Sequence, residues 1–336
     1  MITAPIAPFP TPDLVSLGDL EPDALRSVLD TARDIKANEA SYRDLLRGKR
    51  LAMVFEKESL RTRFTFDIGM QDLGGSATFL DLSNGARMGA RESVRDMAKN
   101  LERWTHGIVA RTYRHRTIVE LAQSAEVPVI NGLSDLLHPC QALADTMTLF
   151  EHWGEVAGRK LVFIGDGNNT CHSLITAATR LGMDVVVCGP EGYEPDAEIE
   201  RHAVAAAEST GGSFALEQDP REAMRGAHAV YTDVWASMGQ EDETEERAAL
   251  FSDYAVTEEL MELTDDAVFM HCLPAHRGHE VARGVIDGPR SIVYDIAENR
   301  LHAETFSPPS SCSLSMTRET CSRKPWRLSK FSSALT

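Results

Sequence analysis

The segment Phe55-Glu56-Lys57-Glu58-Ser59-Leu60-Arg61-Thr62-Arg63 packs Ser59, Arg61, Thr62 and Arg63 into five positions. Two hydroxyls and two guanidiniums this close together can hold an oxyanion by charge-assisted hydrogen bonds. At a strand-to-helix turn they would add to the N–H groups and positive dipole end that a helix start already offers an anion. The plainer reading is a solvated helix start with surface arginines. Arg111-Thr112-Tyr113 and His138-Pro139-Cys140-Gln141 supply further groups of the same kind. His138 and Gln141 lie three apart, so at the start of a helix both can face one ligand. A lone histidine is more often structural, but three strand ends that each offer Arg or His to one anion weaken that reading.

The second half of the chain carries different chemistry. Gly165-Asp166-Gly167-Asn168-Asn169-Thr170 resembles a dinucleotide turn, but Thr170 stands where the third glycine of G-x-G-x-x-G belongs. A glycine pair alone is weak evidence, and Asn168 and Asn169 suit hydrogen bonding to a small polar ligand better. Asp233, which opens Asp233-Val234-Trp235-Ala236-Ser237-Met238-Gly239, could bind an ammonium group or simply cap a helix. His271-Cys272-Leu273-Pro274-Ala275-His276-Arg277-Gly278 joins a histidine to a cysteine, a pair that invites a thiol-nucleophile or metal reading. Adjacent strand residues point to opposite faces, so His271 and Cys272 are not expected to share a ligand, and no metal is expected. One half thus collects anion binders and the other collects groups suited to an amino acid.

These residues need elements to position them. Leu25, Val28, Leu29, Ala32 and Ile35 recur at helical spacing and predict a helix over 22–37. Apolar runs at Leu51–Phe55, Ala77–Leu80, Gly107–Ala110 and Val127–Ile130 read as strands alternating with helix-like segments. A long helix begins at His138-Pro139, with Pro139 suited to its first turn, and runs to Gly154. The pattern restarts with strands at Lys160–Ile164, Asp184–Cys188, Ala229–Thr232, Val268–His271 and Ile292–Tyr294, and a helix at Thr170–Leu181. Such alternation predicts an α/β fold of two domains, each a parallel sheet flanked by helices. The expected ranges are 1–150 and 151–304, followed by a tail at 305–336. In open α/β sheets ligands bind beyond the carboxyl ends of strands, where every motif above falls, so the active site is expected in the cleft between the domains.

A chain of 336 residues is long enough for two such domains, and 43% apolar with 25% charged residues is a globular balance. No apolar run approaches the roughly 18 residues that span a bilayer, and Met1-Ile2-Thr3-Ala4-Pro5 does not read as a secretory signal. Six cysteines without a CxxC pattern read as reduced thiols in a cytoplasmic protein. A net charge of −17 disfavours nucleic acid as a partner, and no membrane partner is expected.

FEKESLRTR (55–63), HPCQ (138–141), GDGNN (165–169), DVWASMGQE (233–241), HCLPAHRG (271–278) and ENR (298–300) together resemble the transcarbamylase family. They occur in the family's order, over about residues 15–303, and the SMG segment resembles the members that use ornithine. The resemblance implies transfer of the carbamoyl group of carbamoyl phosphate to the δ-amine of L-ornithine, giving citrulline and phosphate without a cofactor or metal. It implies carbamoyl phosphate contacts from Ser59, the backbone of Leu60, Arg61, Thr62, Arg111, His138, Gln141 and Arg300. It implies ornithine contacts from Asn169, Asp233, Ser237, Met238, Cys272 and Leu273, with Cys272, Arg111 and His138 in catalytic roles. Members of the family are trimers or multiples of trimers, and a neighbour's loop, here around Ser83–Arg87, reaches the donor site. Arg87 stands where relatives often carry Gln.

Two departures matter. Leu60 replaces a common Thr, which removes a hydroxyl and keeps the N–H. Relatives continue after ENR with an amphipathic helix, whereas residues 305–336 hold nine serines and a charge of +4, leaving −21 on the rest. This composition predicts a disordered tail and suggests a frame-shifted or degraded end, which resequencing the coding DNA would test. The competing functions are a carbamoyltransferase acting on N-acetylornithine or putrescine, a nicotinamide-dependent oxidoreductase using the GDGNNT turn, and an impaired regulatory homologue.

Overall fold

The computed structural model describes residues 11–236 and 244–305. By internal contacts the chain divides into two units, one of residues up to Val15, Asp30–Asp135 and from Leu301 onward, the other of Ser16–Leu29 and Leu136–Arg300.

The first unit is built on β1 (Arg50–Phe55), β2 (Ser76–Asp81), β3 (Gly107–Arg111) and β4 (Val129–Leu133). They form a four-stranded parallel sheet in the order β2-β1-β3-β4. All of β3 and all but the first residue of β1 are buried, as expected of parallel strands covered on both faces. Val54, Ala110, Ile108 and Val129 pack with Ala98, Ile118 and Leu121 of two covering helices, Val94–Trp104 and His115–Ser124. β1 connects to β2 on one side and pairs with β3 on the other, so the strand order reverses between β1 and β3.

The second unit carries β5 (Lys160–Ile164), β6 (Asp184–Cys188), β7 (Ser213–Glu217), β8 (Ala229–Thr232) and β9 (Val268–His271). Their five-stranded parallel sheet has the order β7-β6-β5-β8-β9, with its reversal between β5 and β8. Val162, Ile164, Val230 and Phe269 anchor its core against Met224, Met261, Val285 and Val293. The helices Pro139–Trp153 and Asn169–Arg180 are buried along most of their length.

Three sequence expectations need correction. Ile292–Tyr294 is not a strand: Ser291 makes a single bridge to Phe269, and the helix Val293–Thr305 follows. Ile292, Val293 and Ile296 are buried while Tyr294 is 67% exposed, which is a helical face and not strand alternation. The strand expected at Val127–Ile130 is β4, and it runs on through Asn131 and Gly132, residues read from sequence as following it. Asn131 is tolerated in the buried strand because its Nδ2 donates to the Val15 carbonyl at 3.0 Å. β7 lies outside the strands that the sequence predicts; it sits at a sheet edge, largely exposed, and its apolar run is only Phe214-Ala215-Leu216. The tail beyond Thr305, expected to be disordered, lies outside the described residues.

Candidate active site

In the first sheet the chemistry gathers at the β1/β3 reversal, where open parallel sheets bind ligands. Ser59 is the N-cap of the Leu60–Asp72 helix, and its Oγ accepts from the Thr62 N–H at 3.2 Å. Thr62 is buried, whereas the Leu60 side chain is 69% exposed. The helix start that follows β1 thus offers first-turn N–H groups without intrahelical acceptors, of which Ser59 takes that of Thr62. Arg111 is the last residue of β3, in register with Phe55, and is buried. Its carbonyl accepts from the Glu56 N–H at 2.8 Å, which joins the two strand ends. The buried Glu56 carboxylate accepts from the N–H groups of Met88 at 2.7 Å and Tyr113 at 2.9 Å. It ties the 83–90 loop and the turn after β3 to the end of β1. The Arg87 guanidinium lies 3.4 Å from the centre of the Tyr113 ring, and Lys57 Nζ lies 4.6 Å from it. Arg63 instead packs on Phe79 of β2, at 4.1 Å, and is drawn off the cluster. A Cβ at Gly132 would sit 3.1 Å from Val109 Cγ1 and 3.4 Å from Thr62 Cγ2, so glycine lets the Thr62 turn close onto β4.

In the second unit the β5/β8 reversal is built around Asp233. Asn168 caps the Asn169–Arg180 helix with its Oδ1, accepting from the N–H groups of Thr170 and Cys171. Its Nδ2 donates to Asp233 Oδ2 at 3.0 Å. Asp233 Oδ1 accepts from the Val234 N–H at 2.8 Å and from the Cys272 thiol at 3.0 Å. Asp233 is therefore a buried carboxylate held from three sides. Cys272 reaches it because β9 ends at His271 and the chain turns at Leu273, whose φ is a left-handed 59°. The opposite-faces expectation for His271 and Cys272 therefore fails: the alternation stops one residue too early to apply. Ligand-type atoms of Asp233, His271 and Cys272 all lie within 4.8 Å of one another.

Hydrogen bonding speaks against a metal there. His271 Nδ1 accepts from the Leu273 N–H at 2.8 Å, which turns the proton-bearing Nε2 toward Glu280, 3.4 Å away. Burial raises the Glu280 carboxyl, but the bonds from His271 and backbone N–H groups outweigh it and hold the group below the usual range. A metal held through His271 Nδ1 would displace the Leu273 N–H, and one held through the Cys272 thiolate would remove the hydrogen bond to Asp233.

His138 is the N-cap residue of the Pro139–Trp153 helix, and its N–H donates to Ser173 Oγ at 2.7 Å. One turn on, Gln141 Oε1 accepts from Arg300 Nη1 at 2.7 Å, and Gln141 Nε2 donates to Asp145 Oδ1 at 2.9 Å. The neighbouring Asn299 donates to Thr148 Oγ1 at 2.9 Å and Glu151 Oε2 at 2.7 Å, which fastens the 298–300 segment to the same helix. Asp145 is buried, and that burial pushes its carboxyl up to about 7, against the lowering effect of Gln141, Arg300 and Tyr231.

A family model of the carbamoyl-phosphate-binding domain of aspartate/ornithine carbamoyltransferases matches residues 12–151, and one of the Asp/Orn-binding domain matches residues 157–305. The chain belongs to the aspartate/ornithine carbamoyltransferase family. An ornithine carbamoyltransferase of Pyrococcus horikoshii is 50% identical over 295 residues, or 87% of this chain and 93% of that one. One of Symbiobacterium thermophilum is 51% identical over 296 residues, covering 87% and 95%. The solved ornithine carbamoyltransferase of Pyrococcus furiosus has a TM-score of 0.85 at 47% identity, covering 90% of this chain and 97% of that one.

For a carbamoyltransferase, the expected residues that the structure describes divide between the two units. Ser59, Leu60, Arg61, Thr62, Arg87 and Arg111 belong to the first unit, and His138, Gln141, Arg300, Asn169, Asp233, Cys272 and Leu273 to the second. Ser237 and Met238 lie outside the described residues. Asn168, which is not among the residues expected to contact ornithine, is the one whose amide bonds to Asp233. Sequence reading also missed Asp145, Tyr231 and Arg247. Arg247 is buried and donates to Asp166 Oδ2 at 2.8 Å and to the Trp235 carbonyl at 3.0 Å, tying the turn after β5 to the segment after β8. A charged residue within the apolar stretch Leu143–Phe150 was the available signal for Asp145.

Proposed function

We propose that this chain is an ornithine carbamoyltransferase, moving the carbamoyl group of carbamoyl phosphate to the δ-amine of L-ornithine. Within a family whose acceptors are aspartate or ornithine, the observation that carries this reading is the buried Asp233 carboxylate at the β5/β8 reversal. That carboxylate offers an amino acid's ammonium group a counter-charge and disfavours a second carboxylate, which aspartate carries and ornithine does not. Relatives near 50% identity named ornithine carbamoyltransferase support the same acceptor.

Ser59, the Leu60 N–H, Arg61, Thr62 and Arg111 hold the phosphate and carbonyl oxygens of the donor, joined by His138, Gln141 and Arg300, with Arg87 contributed from the 83–90 loop. Asp233 anchors the α-ammonium, the resemblance adds Asn169, Ser237, Met238 and Leu273 as further ornithine contacts, and Cys272 packs against the amine without bonding to it. The neutral δ-amine attacks the carbamoyl carbon, a tetrahedral oxyanion forms, and phosphate leaves with the C–O bond electrons, taking up the proton that the attacking nitrogen sheds. Arg61, Thr62, Arg111 and His138 are the donors aimed at the developing negative charge. Holding both reactants in place supplies the remaining rate enhancement through effective molarity. The protein acts in the cytoplasm as a trimer; the thiols of Cys140, Cys171, Cys188 and Cys272 and an exposed apolar stripe on the Leu60–Asp72 helix support this.

The test is carbamoylation of ornithine, N-acetylornithine, putrescine and aspartate side by side, with product read by mass spectrometry. The N-acetylornithine arm matters because a solved acetylornithine transcarbamylase complexed with acetylcitrulline also matches, with a TM-score of 0.80 at 30% identity. Citrulline as the dominant product is expected; preferential turnover of any other acceptor overturns the assignment.

A further inference from the structure

We infer that Asp145 is a positioning residue that locks the Gln141 side chain in one orientation for the carbamoyl donor. The inference rests on the carbamoyl phosphate reading above and extends it to a residue that the donor motif does not contain.

A glutamine amide has an acceptor end and a donor end of nearly equal size, so a site that uses it must prevent a half-turn. Arg300, as a guanidinium, can only donate, and its Nη1 lies 2.7 Å from Gln141 Oε1. That bond holds only the Oε1 end of the amide and leaves Nε2 to find its own partner in a buried setting. Asp145 supplies the partner. It lies one helical turn beyond Gln141 on the Pro139–Trp153 helix, so both side chains share a face, and its Oδ1 accepts from Nε2 at 2.9 Å. Turning the amide over would set Nε2 against the Arg300 guanidinium and Oε1 against the Asp145 carboxyl oxygen, breaking both bonds.

Asp145 is itself fixed. The Tyr231 hydroxyl, from β8, donates to the same Oδ1 at 3.4 Å. Tyr231 stacks on Phe163 of β5, with ring centres 5.6 Å apart. Asp145, Gln141, Arg300 and Tyr231 are all buried, so no bulk water replaces a lost bond. The chain Tyr231–Asp145–Gln141–Arg300 thus runs from the strand that ends in the Asp233 turn to two residues assigned to the donor. Asp145 acts through Gln141.

The experiment measures steady-state kinetics of citrulline formation for wild type, Asp145→Ala and Asp145→Asn, varying each substrate separately, with thermal melts alongside. Asp145→Ala removes the acceptor and is expected to raise the KM for carbamoyl phosphate on the order of tenfold, the effect of one buried hydrogen bond. Its KM for ornithine should stay within about twofold, since Asn168 and Cys272 still hold Asp233. Asp145→Asn keeps an Oδ1 acceptor and should recover most of the carbamoyl phosphate KM. An unchanged carbamoyl phosphate KM in Asp145→Ala overturns the inference. So does a parallel loss in both KM values and kcat that tracks the melting temperature, which marks a merely structural residue. If Asp145→Ala does not fold, Asp145→Ser, whose hydroxyl is too short to reach Nε2, is read by the same criteria. Wild-type protein that makes no citrulline defeats the functional reading, and this inference with it; an active wild type with an indifferent Asp145→Ala defeats this inference alone.

Discussion

Asp233 is held in place by an amide, a backbone N–H and a thiol, and each of the three donates a hydrogen to it. Such a carboxylate is already positioned before a cationic ligand arrives, so little ordering is needed on binding. Asp233→Asn keeps the shape and removes the charge. It is expected to lower kcat/KM for ornithine about 10- to 100-fold, the effect of one charge-assisted hydrogen bond, while leaving the carbamoyl phosphate KM within about twofold. Initial-rate kinetics with each substrate varied would check this, and an unchanged ornithine KM would remove Asp233 from the acceptor site. Asp145 gives a second, pH-dependent expectation. Its carboxyl is raised from 3.8 to about 7, so between those values the folded protein holds a proton that the unfolded chain releases. That favours folding at low pH, and the contribution is lost as pH rises through 7. Asp145→Asn should therefore gain on wild type by about 2 kcal/mol between pH 5 and pH 8, measured by urea unfolding. Parallel stability curves would show that Asp145 titrates normally. At this scale the sequence named Asp233 and Cys272 but not their geometry. Neighbouring asparagines are chemically identical in sequence, and only the helix start decides that Asn168 caps and reaches Asp233 while Asn169 begins the helix.

At the scale of elements, two capped helix starts stand at two strand-order reversals, and both depend on short-range chemistry that a sequence displays. Ser59 caps at the first and Asn168 at the second. Ser59→Ala is expected to cost about 1 kcal/mol in unfolding free energy and to weaken carbamoyl phosphate more than ornithine. Asn168→Ala should cost about as much stability but weaken ornithine, because Nδ2 also holds Asp233. Denaturant unfolding together with the two KM values distinguishes them; if both variants weaken the same substrate, the division of labour between the reversals is wrong. Most strands were legible because buried parallel strands read as unbroken apolar runs, as in β1, β3 and β5. The failures share one cause. β7 is an exposed edge strand, β4 contains a buried Asn131 and Gly132, and Ile292-Val293 opens a helix whose burial follows a 3.6-residue period. In each, tertiary partners decide what the local pattern leaves ambiguous.

At the scale of the molecule, the Leu60–Asp72 helix has two apolar sides. Thr62, Phe66, Gly69 and Met70 are buried within the first unit, whereas Leu60, Phe64 and Ile68, spaced four apart, are 69%, 55% and 42% exposed. The edge strand β2 adds Leu80, also exposed. An apolar stripe on the helix that opens with the donor motif is a surface to be covered, and a net charge of −17 would keep separate chains apart unless a specific contact favoured association. The trimer expected from the family resemblance would supply that contact and would bring a neighbour's 83–90 loop to the donor residues. Light scattering should then give a mass of three chains for wild type. Phe64→Glu, which places a charge mid-stripe without touching the buried side of the helix, should shift the mass toward a single chain. Its circular dichroism should match wild type, and its activity should fall with the mass if a neighbour completes the site. A single-chain mass for wild type, or full activity in a dissociated Phe64→Glu, would show that each chain works alone and that Arg87, already stacked on its own Tyr113, serves the chain that carries it.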